Sequence, residues 1–151
     1  MAKKSTRFQT VVRFTESKEE KAAKQLAESQ RNLLDQQNRL DSLTQFKDEY
    51  AQRFTQTGQQ GMRASQLRDF HAFMGKLQSA VDQQKRLVEV AVDNVESKKK
   101  QWLSTRNETR KANTLLDRYL LQEQRIQDKQ EQKESDERAQ RMAKPDGMIP
   151  K

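Results

Sequence analysis

The chain has 151 residues, of which 32% are hydrophobic and 34% are charged, and its formal net charge is +8. This length allows one domain at most, and the apolar content is too low for a thick globular core but suits one narrow buried seam. The chain has no cysteine, which excludes disulfides, thiolate metal sites and a thiol nucleophile and is typical of a reducing compartment. The first proline is Pro145, so no earlier position is closed to helix by proline.

The first predicted element is a helix over about residues 5–56, in which apolar positions recur at alternating steps of four and three. One track of this repeat is strong: Leu26, Leu33, Leu40, Lys47 and Phe54. The other track starts at Ala22 and is partly polar. Before it, Phe8, Val11, Val12 and Phe14 predict the start of the same helix in an imperfect register.

A turn is predicted over about residues 57–64, where Gly58 and Gly61 interrupt the repeat. Glycine readily adopts the backbone angles that reverse a chain. Ser65 is then expected to be the N-cap of the next helix, because its hydroxyl can accept a hydrogen bond from a free backbone N–H. Asp69 is expected in the first turn, where a negative charge suits the positive end of a helix.

The second predicted helix, over about residues 65–138, has the most regular heptad repeat of the chain. Its two tracks keep the seven-residue period without a skip from Leu67 to Ile126. Such persistence indicates a left-handed supercoil, because the period of a single amphipathic helix drifts away from seven. The repeat fades after about residue 127, and residues 141–151 are predicted to form a disordered tail.

Together these elements predict an all-α protein, a long antiparallel two-stranded coiled-coil hairpin with a longer second helix, forming a single domain over residues 1–140. Phe54 and Leu67 flank the turn, so the numbers of facing residues should add up to about 121. The part of the second helix beyond about residue 115 is therefore expected to have no partner in this chain. Its apolar residues are Leu115, Leu116, Tyr119, Leu120, Leu121 and Ile126.

The surplus of positive charge lies in residues 1–24 and 96–120, each with four more basic than acidic side chains. The predicted register places residues 1–24 opposite about 97–120, at the open end of the hairpin. The result would be a basic collar that steers an acidic partner, although an ordinary solvated coiled-coil face is an equally good interpretation. The collar residues are Lys3, Lys4, Arg7, Arg13, Lys18, Lys21, Lys24, Lys98, Lys99, Lys100, Arg106, Arg110 and Lys111.

The turn end of the hairpin is rich in aromatic residues: Phe46, Tyr50, Phe54, Phe70 and Phe73. Phe73, Leu77, Ala80 and Gln84 form an additional stripe at steps of four, three and four. This stripe either widens the packing near the turn or forms an exposed apolar patch for a partner protein.

The sequence lacks the residues that most enzyme mechanisms need. It has no phosphate-binding loop, and His71 is its one histidine, which rules out a histidine metal pair or a histidine-based triad. We therefore predict no enzymatic activity, no metal and no cofactor. No apolar run approaches the roughly 18 residues needed to span a bilayer, and Arg13 interrupts any signal-type apolar segment, so a cytoplasmic protein is expected.

The sequence resembles the flagellar export protein FliJ family over nearly its whole length. The supporting segments are 45–50 ahead of the turn, 69–74 and 77–81 after it, Trp102, and 136–141. The resemblance implies a stalk similar to the gamma subunit of rotary ATPases. Such a stalk promotes assembly and activity of the hexameric export ATPase FliI, contacts the membrane export gate FlhA and escorts flagellar export chaperones. It would lie at the cytoplasmic face of the cell membrane, as a peripheral protein.

The resemblance also implies which residues bind the export gate, and they coincide with the additional stripe. These residues are Phe73, Leu77, Ala80 and Gln84, with Leu43, Phe46 and Tyr50 alongside.

Contact with the ATPase ring is predicted from charge alone and is assigned to part of the basic collar. The residues are Arg7, Arg13, Lys18, Lys99, Arg106 and Arg110.

Two alternatives stay open at this point. One is the equivalent stalk of a virulence type III secretion system, which the sequence separates poorly from a flagellar one. The other is a nucleic-acid-binding coiled coil, against which stand the 22 interspersed acidic residues and the absence of an aromatic stacking platform to accompany the lysines.

Overall fold

The computed structural model describes residues 3–143, which form two α-helices joined by a short turn. The first helix, α1, spans Lys4–Gly58, and the second, α2, spans Ala64–Ala143. The helices are antiparallel and pack against each other along a narrow seam, and the described part of the chain contains no strand. The predicted all-α, antiparallel coiled-coil hairpin with a longer second helix is confirmed.

Internal contacts divide the chain into two compact units. The turn unit is Glu19–Thr105 and contains the turn with the adjoining parts of both helices. The terminal unit combines the residues up to Lys18 with those from Arg106 onward. The single domain predicted over residues 1–140 stays a prediction.

The buried face of α1 follows one alternation of three- and four-residue steps from Ser5 to Phe54. Of the four apolar residues expected before Ala22 in an imperfect register, Phe8 and Val12 lie on the same seam as the later leucines, whereas Val11 and Phe14 are exposed. The pattern was hidden in the sequence because polar side chains occupy several of the intervening seam positions, among them Thr15.

The buried face of α2 keeps the same alternation from Phe70 to Glu123. Its least exposed residues are small or β-branched: Val81 is 4% exposed and Ala91 only 2%. Both ends of the predicted tracks fall outside this seam, since Leu67 and Ile126 are largely exposed. The burial of Val81 and Ala91 is what heptad packing produces, because each seam side chain inserts between residues of the facing helix.

The turn uses its glycines as expected, but the cap of α2 differs from the prediction. Gly61 has a positive φ of 94°, a conformation that glycine adopts without strain. Arg63, and not Ser65, occupies the cap position: its carbonyl accepts the first helical hydrogen bonds, and its N–H donates to Oε1 of Gln66 at 3.1 Å. This is the glutamine half of a capping box. The first turn of α2 contains no acidic residue, so the placement of Asp69 there is also wrong.

α2 continues to Ala143, beyond the predicted end near residue 138. Its last part has no seam to bury, but glutamine side chains donate to acidic side chains four residues later. The pairs are Gln124–Asp128, Gln127–Glu131 and Gln132–Asp136. Such pairs stabilise a solvated helix modestly. The remainder of the predicted tail, residues 144–151, lies outside the described residues.

Within residues 3–143, neither helix has a stretch long and apolar enough to cross a membrane.

Candidate partner-binding surfaces

The five aromatic residues Phe46, Tyr50, Phe54, Phe70 and Phe73, all near the turn, form one continuous cluster. The ring of Phe70 stacks on that of Phe54, with centroids 3.4 Å apart, and on that of Tyr50 at 5.5 Å. The ring of Phe73 meets Tyr50 edge to face at 4.6 Å and Phe46 at 6.4 Å. Aromatic pairs in these geometries stabilise a fold beyond the area that they bury. The cluster therefore joins α1 to α2 close to the turn.

One side of this aromatic cluster remains accessible. Phe46 is 46% exposed and Phe73 is 36% exposed, although each contacts the other. Leu43, Tyr50 and Ala80 are half-buried beside them. Phe73 therefore does two things: it widens the packing near the turn, and it presents apolar surface to solvent. Binding of a partner protein to that surface stays a prediction.

Two residues of the predicted gate-binding set lie in the seam instead. Leu77 is 8% exposed and Gln84 is 7% exposed. They belong to the inward track of α2, seven residues apart, whereas Phe73 and Ala80 lie on its flank. The alternating steps of four and three therefore link residues of two different faces of α2, one buried and one accessible. Spacing alone placed both kinds of residue in one predicted binding set.

Polar groups interrupt the seam of the turn unit at defined places. The side-chain amide of Gln84 donates to the backbone carbonyl of Gln36 at 3.0 Å and to its Oε1 at 2.7 Å. Lys47, which the sequence placed on the strong apolar track, is half-buried and donates to Oε1 of Gln78. Among the described residues, every buried side-chain nitrogen and oxygen has a hydrogen-bond partner. The seam thus accommodates these polar groups without desolvating any of them unpaired.

The terminal unit is closed by a hydrogen-bonded contact that sequence reasoning missed. The backbone N–H of Ser5 donates to Oε1 of Glu123 at 3.2 Å, and its hydroxyl donates to Oε2 at 2.6 Å. Ser5 is only 4% exposed. Glu123 lies seven residues after Leu116, so it continues one heptad track of α2, and this position could have indicated the contact. The sequence analysis missed it because a charged residue is not expected in a buried seam.

This contact holds the pKa of Glu123 below its ordinary value of 4.5. The hydrogen bond from the Ser5 hydroxyl is the largest cause, and the Ser5 backbone N–H and the positive charge of Lys3 act in the same direction. Partial desolvation opposes them. The ionised carboxylate also suits the N-terminal end of α1, where free N–H groups carry partial positive charge.

The register of the terminal unit differs from the one predicted at the turn. Phe8 contacts the ring of Tyr119 edge to face at 5.4 Å, and the numbers of this pair add up to 127. In the turn unit, the sums range from 119 for Phe46–Phe73 and 120 for Gln36–Gln84 to 125 for Lys47–Gln78, and these values bracket the expected 121. The expected sum therefore holds to within four in the turn unit and is exceeded by six at Phe8 and Tyr119.

The unpartnered part of α2 therefore begins later than expected. Tyr119 has a partner in Phe8, and Leu116 is half-buried. The other predicted members of this set are more than one third exposed: Leu115, Leu120, Leu121 and Ile126.

Most of the predicted ring-binding residues lie in the terminal unit and face solvent. Arg7, Arg13, Lys18 and Arg110 are exposed there, whereas Arg106 is half-buried. The ammonium of Lys18 lies 5.0 Å from the centroid of the exposed Phe14 ring, within cation–π range.

Lys99 is also exposed but belongs to the turn unit. Its membership of one collar with the other ring-binding residues stays a prediction.

The positive surplus of the terminal unit comes mainly from α1. Residues 3–18 contain five basic side chains and one acidic one, whereas residues 106–123 contain four basic and three acidic ones. No cluster of three or more potential metal-binding side chains occurs within residues 3–143. The surplus gives the described part of this unit a net positive charge.

These features define a class: a coiled-coil protein with an accessible aromatic surface in one unit and a basic surface in the other. The family model described as the flagellar FliJ protein matches residues 3–145, and the chain belongs to this family. The resemblance inferred from the sequence is confirmed, and the chain is a component of the flagellar type III protein export apparatus, from a family that is not enzymatic. Searches of curated proteins and of solved structures give no significant match.

Proposed function

We propose that this protein is the stalk of the flagellar export apparatus, which promotes assembly and activity of the ATPase FliI through its terminal unit. Its turn unit docks on the export gate FlhA, and the protein also escorts flagellar export chaperones. It works in the cytoplasm, as a peripheral protein at the membrane. The observation that carries the proposal is the surplus of exposed basic side chains on the α1 part of the terminal unit.

The ring interaction is supported by charge and by asymmetry. A surface with five basic residues and one acidic residue over 3–18 attracts an acidic partner and speeds its association. Two different helices also present different side chains to a ring of six like subunits, so the subunits cannot all be contacted equally. Such a stalk favours some subunit conformations over others, which is the differential affinity that coupling requires.

The gate interaction is supported by the accessible aromatic surface of the turn unit. Phe46 and Phe73 expose apolar area while their rings are held in place by mutual contact and by Tyr50. Pre-positioned aromatic side chains are typical anchors of protein interfaces, because little conformational freedom is lost when a partner covers them.

The test is the ATPase rate and ring assembly of FliI with the intact protein at moderate salt. A variant with Arg7, Arg13 and Arg110 changed to Glu is expected to lose most of the stimulation, because three attractive charges become repulsive. The matched control changes three exposed basic residues of the turn unit to Glu: Arg68, Lys76 and Lys85. It should keep the stimulation.

The division of labour is tested by measuring gate binding of the terminal-unit charge variant and of a third variant that removes two exposed rings of the turn unit. The terminal-unit variant should bind the cytoplasmic part of FlhA normally, and Phe46→Ala with Phe73→Ala should weaken that binding without affecting FliI. Equal loss of stimulation in both charge variants would refute the assignment of the ring to the terminal unit. If the intact, folded protein has no effect on FliI, the stalk proposal fails and an adaptor role for chaperones becomes the better hypothesis.

A further inference from the structure

Gln84 is buried between the two helices and is held there by the opposite helix. It is 7% exposed, and its amide nitrogen makes two hydrogen bonds to Gln36 on the opposite helix. To contact a partner protein, the side chain would have to leave the seam and give up both bonds. Nothing in the seam would replace them for Gln36, whose own amide donates to Asn32.

A second polar layer crosses the same seam closer to the turn. The ammonium of Lys47 on α1 donates to Gln78 on α2, and the amide of Gln78 donates to Oδ1 of Asp82 at 3.0 Å. The buried Val81 lies between the two layers on α2, and the buried Leu77 directly precedes Gln78 on the turn side. Polar pairs inside a coiled coil contribute less stability than leucine pairs, but they penalise every alignment that separates the partners.

A slip by one heptad would break both layers. A slip in one direction would bring Gln84 opposite Leu43 on α1, whose side chain offers no acceptor to replace Oε1 of Gln36. In the other it would meet Ser29, whose shorter side chain already donates to its own helix at the carbonyl of Leu26. Lys47 would likewise lose the carbonyl oxygen of Gln78. The native alignment is thus the one in which both polar groups are paired.

The accessible aromatic surface depends on this alignment. Phe46 lies on α1 and Phe73 on α2, and their rings touch across the seam. One heptad corresponds to about 10 Å along a helix, so a slip would move the two rings out of contact. Apolar pairs alone would tolerate the slip better, because one leucine can replace another along the same track.

We propose that the Gln36–Gln84 and Lys47–Gln78 layers set the register of the turn unit, and that Gln84 is a positioning residue for the aromatic docking surface rather than a gate contact. The effect on gate binding rests on the proposed gate function, whereas the register of the two helices does not depend on any partner. It reassigns one residue that the family resemblance placed in the gate-binding set.

The register can be measured directly because the chain has no cysteine of its own. Spin labels are attached to cysteines introduced by Gln37→Cys and Lys85→Cys, two positions that are exposed in the turn unit. Pulsed electron paramagnetic resonance then measures the distance between the two labels, one on each helix. Gln84→Leu and Gln36→Leu are compared with the parent and with Gln52→Leu, an exposed control with the same chemical change. Binding to the cytoplasmic part of FlhA is measured on the same variants without labels.

Both seam variants are expected to keep their helicity and thermal stability, to broaden the single distance into several, and to weaken FlhA binding at least fivefold. Gln36→Leu is decisive, because it leaves Gln84 in place. Weaker binding in Gln84→Leu with an unchanged distance and normal binding in Gln36→Leu would make Gln84 a direct contact and overturn the inference. A single unchanged distance in both variants would overturn it as well. If the parent does not bind FlhA at all, the gate proposal fails, while the distance measurement still decides the register.

Discussion

The turn unit and the terminal unit use the same heptad geometry but hold it together differently. In the turn unit, five aromatic rings and two polar layers join the helices, and the pairing agrees with a register counted from the turn. In the terminal unit, an aromatic pair and the hydrogen bonds of Ser5 to Glu123 join the two helices. The rings that meet one another near the turn predict that the turn unit holds the more rigid surface.

The largest difference between the units is expected in the free energy of unfolding when one aromatic ring is removed from each. Phe70 contacts Phe54 and Tyr50, whereas the contact of Phe8 is with Tyr119. Phe70→Ala should lower the free energy of unfolding by about 3 kcal/mol and Phe8→Ala by about 1–2 kcal/mol.

Urea unfolding followed by helicity measures both effects, and hydrogen exchange locates them. Phe70→Ala should raise exchange on both sides of the turn, and Phe8→Ala should raise it at the start of α1. Equal destabilisation by the two changes would contradict the comparison.

A smaller pair of effects is expected at two glycines of the turn unit. Gly61 has a positive φ, so Gly61→Ala should destabilise the protein by about 1 kcal/mol through backbone strain. Gly75 lies inside α2, and an added Cβ would meet nothing within 4 Å, so it does not serve a close approach of the helices. Gly75→Ala should therefore stabilise the protein by about 0.5–1 kcal/mol.

Thermal unfolding of the two alanine variants checks the signs. A loss of stability in Gly75→Ala would indicate a contact at this position that the packing does not account for.

The smallest effect is a pH dependence confined to the terminal unit. The pKa of Glu123 is lowered in the folded state, so its contribution to stability is complete above the unfolded value near 4.5 and is lost as the pH falls through the folded pKa. Protonation removes an acceptor from Ser5 and should loosen the start of α1. The size of the effect is limited because solvent screens the carboxylate.

Amide exchange at the start of α1, corrected for intrinsic rates, measures this opening between pH 6 and pH 3. Glu123→Gln should show faster exchange at pH 6 and little further change on acidification. Glu131→Gln, an acidic residue on the solvated part of α2, is the control and should leave the pH profile unchanged. A profile in Glu123→Gln identical to that of the parent would mean that the hydrogen bonds to Ser5 do not close the unit.

The sequence by itself determined the helical hairpin, because a seven-residue period, a proline-free chain and a glycine-containing turn leave one arrangement that buries the apolar tracks. It also indicated the aromatic richness near the turn and the basic surplus. These are properties of composition and period, which do not depend on which side chains meet.

Only the tertiary structure decided the contacts that need two helices at once. It placed Gln84 against Gln36, Lys47 against Gln78 and Ser5 against Glu123. It also showed that Arg63, bonded to Gln66, caps α2, which is a local contact that the sequence did not indicate. Polar side chains at seam positions carry no signal in an apolar repeat, because they are favourable there only when a specific partner on the other helix satisfies them.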